Sequence, residues 1–499
     1  MVSIVIVALF VIVITLIYIY LKRVYSPSPD DLPGVKPHIF FGNLLNSGIL
    51  TGELSFHQVF LDYQRRFGDK FQFWFGSHRC FVFCGVEHAQ IIFADRHTFE
   101  QAPLSFPNFD LLCPNAIVML TGAKWKRHIR VLLPMLKRAK IIGHLETIVQ
   151  CADRFIDQNL HPGQVHRDLV SSCQSFTMNV IGFIGFDHDF DAHINSPIKK
   201  AFRDFILHSV FIFLSPWLPQ CLGKIYLKYN WKYQHAYRLI HELSEKLVEE
   251  EQNKESEMEN KRPKNLIASL VSSLNEQAND DQVSSGLTHA EIFDEVLIMI
   301  LAGYETTSTA LSWFIFFASK NPQVQQKMKE ELRKHHLLMT DDLKYVPELT
   351  SENLTSLTYC ECVTKEVLRL APVAGFSVRI ATCDTIVDAV KIHRGQTVFI
   401  ALNNINTDAR YWHHADPRQF VPERFLGEDE NHHSLAMIPF GGGHRACIGQ
   451  ELAWLELKTI IVRMMQRGIT FEDMPENTGG YEDHLTCLPK KLAVRVRFD

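Results

Sequence analysis

Long basic runs, Cys-x-x-Cys pairs and internal repeats are all missing from this chain of 499 residues. The first absence argues against nucleic-acid binding, and the overall balance agrees: 51 Lys and Arg face 56 Asp and Glu, for a net charge of −5. The second leaves no zinc-type cysteine set. The eleven cysteines are scattered and odd in number, which suits reduced thiols better than a disulfide framework. The third, with no long structureless break, points to one large domain although the length would allow more.

Little charge interrupts the first stretch. Val2 to Leu21 is a nearly unbroken apolar run, and twenty helical residues cover about 30 Å, the depth of a bilayer core. Lys22 and Arg23 follow at once, placing the rest of the chain on the cytosolic side. No basic stretch precedes the run and no small-residue cleavage site follows it, so an uncleaved anchor over residues 1–23 is expected rather than a signal peptide. Residues 24–37 carry Pro27, Pro29, Pro33 and Pro37 and read as a stiff linker. Residues 38–499 are left for the main domain, 46% of the whole chain being hydrophobic.

What is present is concentrated near the C-terminus. Gly441, Gly442 and Gly443 in succession suit neither a helix nor a strand, and mark a loop whose backbone comes close to something. From Gln450 to Met465 strong helix formers follow at helical spacing. Cys447 therefore stands at a helix N-terminus, where the dipole and free amides lower a thiol pKa, and Arg445 adds positive charge. Such a thiolate suits a nucleophile, a redox thiol or a metal ligand. A buried free cysteine in a glycine-rich turn satisfies the same residues.

A second anomaly lies in the middle. Thr288-His289-Ala290-Glu291 is a capping box opening an apolar helix that runs to about Ser319 and stops at Asn321-Pro322. Its centre reads Leu301-Ala302-Gly303-Tyr304-Glu305-Thr306-Thr307-Ser308-Thr309. A glycine, a carboxylate and a run of hydroxyls contradict the preferences of a buried helix, and such contradictions point to function. Gly303 would let a flat ligand approach the backbone, and the hydroxyls can bond back to helix carbonyls and open a groove.

Phe440, Gly443, Arg445, Cys447 and Gly449 spell Phe-x-x-Gly-x-Arg-x-Cys-x-Gly in full. This is similar to the haem-binding signature of the cytochrome P-450 family, and the chain resembles its eukaryotic microsomal members. The resemblance implies a mainly α cytochrome P-450 fold, with a long central helix, a helical bundle and small β-sheets. It makes Cys447 the axial thiolate of haem b. It makes Ala302 a neighbour of the haem on the central helix, where Thr306 lies over the haem and pairs with Glu305 to deliver protons. Arg379 and Arg445 match the arginines that hold the haem propionates. Trp125 matches the family's Trp-x-x-x-Arg helix, but Ile129 stands where the arginine belongs, leaving Arg127 or Arg130 as substitutes. Glu366 and Arg369, with Arg424 of the Pro422-x-Arg-Phe425 segment, would form a buried charged network with a structural role.

The implied reaction inserts one oxygen atom of dioxygen into a lipophilic substrate, with electrons from NADPH through NADPH–cytochrome P-450 reductase; a cytochrome b-type protein is a second candidate donor. The implied location is the endoplasmic reticulum membrane, single-pass. The basic stretch from Lys124 to Lys140 reads as a docking face for an acidic donor or as a solvated face. Candidate pocket residues are Phe106, Phe109, Leu111, Leu112, Val118, Val373, Ala374 and Phe376, and core packing explains each equally well. The apolar stretch 201–220 suits a bilayer surface, a substrate entrance or a buried helix. Residues 249–264 and 275–286 read as exposed connections. Two alternatives stand beside the monooxygenase: a haem-thiolate isomerase or dehydratase, and a membrane haem-binding protein without turnover. The acid–alcohol pair argues against both.

Overall fold

The computed structural model describes residues 11, 12, 14–16, 18, 19, 32–101, 111–190, 197–213, 215, 218–256, 265–279, 286–339 and 345–499. Thirteen of its longer helices are labelled here: α1 (Phe56–Phe67), α2 (Val86–Ala94), α3 (Gly122–Leu136), α4 (Leu145–Asn159), α5 (Leu169–Phe186), α6 (Pro197–Phe213), α7 (Gln220–Tyr229), α8 (Trp231–Ser256), α9 (Leu266–Asn279), α10 (His289–Lys320), α11 (Pro322–Lys334), α12 (Thr358–Leu370) and α13 (Gln450–Gln466). The strands are β1 (Lys70–Phe75), β2 (His78–Phe83), β3 (Phe99–Gln101), β4 (Val165–His166), β5 (Ser377–Ala381), β6 (Thr385–Val387), β7 (Val390–Ile392), β8 (Thr397–Ile400), β9 (Ile469–Asp473), β10 (Gly479–Asp483), β11 (Cys487–Lys491) and β12 (Val494–Phe498).

The helical part is built around α10. Its start is fixed as the sequence requires: the Thr288 hydroxyl accepts from the Glu291 amide at 3.2 Å, and the Glu291 carboxylate accepts from the Thr288 amide at 2.9 Å. Its 32 residues reach about 48 Å and pack against α5, α13, β9 and β11. A five-stranded sheet, in the order β1-β2-β8-β5-β3, forms a second body with β2 and β8 parallel. Alternation along its strands feeds two cores. Phe81, Phe83, Val398 and Ile400 pack on one face with α2, while Cys80, Val82 and Phe399 pack on the other with α1.

Several expectations change in the folded chain. Residues 249–256 continue α8, and 275–279 continue α9, so the charged and polar connections are shorter than their composition suggests. The end of the proline linker is docked rather than free: the Gln72 amide donates to the Pro33 carbonyl at 2.9 Å, and the Asn43 side chain to that of Val35 at 3.0 Å. Stretch 201–220 is divided. Phe202, Phe205, Ile206 and Ile212 enter the core, whereas Leu207 and Phe211 face outward. Most of residues 1–31 lie outside the described residues; Val11, Ile12, Ile14, Leu16, Tyr18 and Ile19 are helical and exposed. Among the described residues, the helix long and apolar enough to cross a bilayer is α5, and it is mostly buried against α10.

Candidate active site

The cysteine loop is closed by its own backbone. The Cys447 amide donates to the Phe440 carbonyl at 3.0 Å, and the Ala446 amide to that of Gly443 at 3.1 Å. Gly441 and Gly443 both have φ of 70°, in the left-handed region that side chains disfavour. The close approach expected of the glycines is to protein. A Cβ on Gly443 would lie 2.3 Å from the Phe93 carbonyl oxygen, and one on Gly442 would lie 2.5 Å from the Phe93 ring. The loop is thus pressed onto α2. Phe440 is half-buried against the helical core, and Gly449 caps α13 directly.

Cys447 itself is exposed, yet burial pushes its thiol above the ordinary value, with only the Gly449 amide acting the other way. The dipole effect expected from the sequence is therefore outweighed. Cys487, the other cysteine near the C-terminus, differs: it is buried in β11, its carbonyl accepts from the Trp313 indole at 2.8 Å, and burial with Asp483 drives its thiol far up.

Positive charge gathers beside the loop. The Arg445 guanidinium donates to Glu100 at 2.8 Å and to the Leu120 carbonyl at 2.9 Å, and lies over the Trp125 ring at 4.1 Å. Arg379 donates to the Gly442 carbonyl at 3.1 Å and to the Ser377 hydroxyl at 2.9 Å. Burial first, and then Arg445, lower the Arg379 pKa to about 10. Arg445 and His444 contact one carboxylate, Glu100, while buried Arg379 has no carboxylate in contact among the described residues, and this excess of positive charge suits an anionic group such as a propionate. Arg127 is held by Glu291 and Arg130 is exposed. The cation beside Trp125 is Arg445, from the other end of the chain. Helix α3 is instead tied to α10 through fully buried His128, whose Nδ1 lies 2.5 Å from Glu295.

On α10, Ala302 is exposed although Leu301, Tyr304 and Glu305 beside it are buried. The helix leaves an opening there. Gly303 plays a different part from the one its position suggested: a Cβ would meet Ile181 of α5 at 3.0 Å, so the glycine serves helix–helix approach. The hydroxyls return to the backbone one turn earlier, Thr306 to Ala302 at 2.8 Å and Thr309 to Glu305 at 2.8 Å. Thr307 points away, toward Glu456 of α13, whose carboxyl burial drives well up. Glu305 is 2% exposed, and burial raises its pKa, against hydrogen bonds from Thr486 and Gln174 and the charge of His484.

Glu366, Arg369 and Arg424 are brought together with no exposure. Arg369 makes two bonds to Glu366, at 2.7 and 2.8 Å, and Arg424 one at 3.0 Å. A fourth member completes it: Asp429 accepts from Arg424 at 3.1 Å and balances the charge at two against two. Trp412 lies beneath both guanidiniums.

Sequence reasoning missed Glu100, Gln174 and His128, each of which meets its partner across a long separation that leaves no local pattern, and Asp429, which stands five residues from Arg424. Phe106 and Phe109 lie outside the described residues. Leu111 and Leu112 line a cleft of ≈ 1030 Å³ with Tyr233, Tyr237 and Phe293. Phe376 packs among Phe56, Phe60 and Phe399, which is its core reading; Val118 and Ala374 are exposed and Val373 is half-buried.

A family model described as cytochrome P-450 matches residues 32–488. The chain belongs to the cytochrome P-450 family, a class of haem-thiolate monooxygenases. Cytochrome P-450 132 of Mycobacterium tuberculosis is 36% identical over 197 residues, 40% of each chain. Cytochrome P-450 4V2 of Rattus norvegicus is 34% identical over 189 residues, 37% of this chain and 34% of the relative. Cytochrome P-450 3A13 of Mus musculus is 34% identical over 181 residues, 36% of this chain and 34% of the relative. Each match spans 40% or less of the relative's own length.

Proposed function

We propose that the chain is a membrane-anchored haem-thiolate monooxygenase of the eukaryotic microsomal type, acting on a lipophilic substrate. The observation that carries this is the setting of Cys447: an exposed thiol in the glycine loop, which Arg379 grips through the Gly442 carbonyl and to which Arg445, paired with Glu100, belongs. These residues fit haem b. Cys447 would supply the axial sulfur, and metal coordination deprotonates a thiol outright. Arg379 and Arg445 would take the propionates, with Trp125 fixing Arg445 from below. When bound, the haem supplies dioxygen activation and the transfer of one oxygen atom, the other leaving as water.

The remaining work belongs to side chains of this chain. Ala302 leaves room on α10. Glu305, enclosed and with its pKa raised by burial, is the acid next in sequence to Thr306 and suited to passing a proton. That intact pair favours oxygen insertion over isomerase or dehydratase chemistry and over binding without turnover. Electrons would come from NADPH through a reductase, with a cytochrome b-type protein as a second donor. Lys124, Lys126, Arg130, Lys137, Arg138 and Lys140 are exposed and suited to an acidic donor surface. Residues 1–23 would form the anchor in the endoplasmic reticulum membrane, with residues 24–37 as linker and 38–499 as the cytosolic catalytic domain. Exposed Leu207, Phe211, Leu222, Ile225 and Trp231 would meet the bilayer surface. The cleft between α8 and the start of α10 would admit the substrate.

The test is the absorption difference spectrum of dithionite-reduced protein with and without carbon monoxide. The strongly red-shifted Soret band of a thiolate-ligated haem is expected, and it should be lost in Cys447→His. A haem spectrum without that shift overturns the ligand assignment.

A further inference from the structure

The hydroxyls around Glu305 can be counted. Thr309 Oγ1 lies 2.8 Å from the Glu305 carbonyl oxygen, which only accepts, and 2.6 Å from Thr486 Oγ1. Thr486 Oγ1 lies 3.3 Å from Glu305 Oε1, and the Gln174 amide donates to Oε2 at 3.1 Å. Each hydroxyl has one proton to give. If Thr309 gives its proton to the carbonyl, Thr486 is the donor across the short contact to Thr309. The contact between Thr486 and Oε1 then needs a proton from the carboxyl itself. If the carboxyl is ionised, both hydroxyls can reverse: Thr309 gives to Thr486, and Thr486 gives to Oε1. All three contacts are satisfied in the protonated state; in the ionised state the carboxylate keeps its donor and the Thr309–carbonyl contact is given up, while Gln174 holds the second oxygen throughout.

We propose that Thr486 and Thr309 form a reversible hydroxyl pair that holds the Glu305 carboxyl in one orientation before and after it gives up its proton, with Gln174 fixing the other oxygen. Thr486 is thus a positioning residue of the proton-delivering site, supplied by the turn between β10 and β11. The inference rests on the role given to Glu305 above. Three elements meet at the carboxyl: α10 itself, α5 through Gln174, and the turn through Thr486. The other titratable groups that interact with it from these elements are half-buried His484, on the same turn, whose charge favours the ionised form, and buried Tyr304 on α10, whose own pKa Glu305 helps to raise. All three hydroxyl and carboxyl groups are nearly excluded from solvent, so no bulk water competes for these bonds.

The arrangement makes an unusual demand of two neighbouring threonines. With Thr486→Val the ionised carboxyl loses its donor, and Glu305 should titrate at higher pH. With Thr309→Val ionisation no longer costs the Thr309–carbonyl contact, and Glu305 should titrate at lower pH. General loosening of the core would move both in the same direction.

The experiment is infrared spectroscopy of the haem-loaded protein, with Glu305→Gln used to identify the carboxyl C=O band. The band should grow in as the pH is lowered. Its titration should move up in Thr486→Val, move down in Thr309→Val and return in Thr486→Ser. Product formed per NADPH should fall in Thr486→Val and recover with serine. Shifts of the same sign in both valine variants, or the absence of a band removed by Glu305→Gln, overturn the proposal. Should Thr486→Val fail to fold, Gln174→Leu and Thr309→Val keep the test: an unmoved band in both overturns it. A missing thiolate signature in the carbon monoxide spectrum would overturn the haem reading while leaving the band positions interpretable.

Discussion

Arg445 lies over the face of Trp125, 4.1 Å from the ring centre, with its guanidinium donating to Glu100 on one side. Residues from three distant parts of the chain thereby make one positively charged floor. Arg445→Ala should lower the haem retained per protein after gel filtration. Arg445→Lys should fail to restore it, because an ammonium lacks the planar fork that stacks and donates at once. Trp125→Leu should have a smaller effect, losing a contact worth about 1–2 kcal/mol.

Glu366 is the shared acceptor of two fully buried arginines. Glu366→Gln should destabilise the fold by about 3–5 kcal/mol, since it leaves buried cations without their counter-charge. A chemical denaturation midpoint measures this. Asp429→Asn should act in the same direction, because Asp429 is the second counter-charge and also caps the His413 and His414 amides.

Gly441 and Gly443 offer a controlled comparison. Both carry φ of 70°, so alanine at either incurs the left-handed penalty of about 1 kcal/mol. Only at Gly443 does the new methyl run into the Phe93 carbonyl, at 2.3 Å; at Gly441 the nearest atom is 3.9 Å away. Thermal unfolding should show Gly441→Ala mildly destabilised and Gly443→Ala severely so. Equal losses would mean that backbone conformation alone requires the glycines.

Acid sensitivity should trace in part to His57. Burial lowers its pKa from 6.5 to about 3, while its ring contacts the Ser55 hydroxyl at 2.8 Å. Between these values the unfolded chain binds a proton that the folded chain does not. Stability therefore falls as pH drops from 6.5 toward 3, by about 1.4 kcal/mol per unit from this residue, and is fully present above 6.5. His57→Asn should flatten that slope, as read from denaturation midpoints across the range.

The sequence made legible whatever is written in neighbouring residues. The Thr288 capping box and the helix after Gly449 both follow from local propensity, and the structure has them within a residue or two. The cysteine signature was readable because its spacing is fixed by one loop. What was not readable depends on distance. Nothing near Ile129 says that Arg445 will stand beside Trp125. Nothing near Gly303 says that Ile181 will press against it, and the same holds for the pairing of Glu305 with Gln174. The charged stretch 249–256 was misread because a solvated helix and a solvated loop share a composition; only packing against α9 and α6 separates them.

The contact of Gly442 and Gly443 with Phe93 has a consequence for the order of assembly. Phe93 belongs to the sheet-side core and lies about 350 residues before the cysteine loop, so closing the two together is among the most entropically demanding steps available to this chain. The loop cannot reach its final shape until both bodies have formed and met. A nascent or partly folded chain would therefore present Cys447 on an unformed platform, and cofactor capture would come last, as the event that seals a nearly finished molecule.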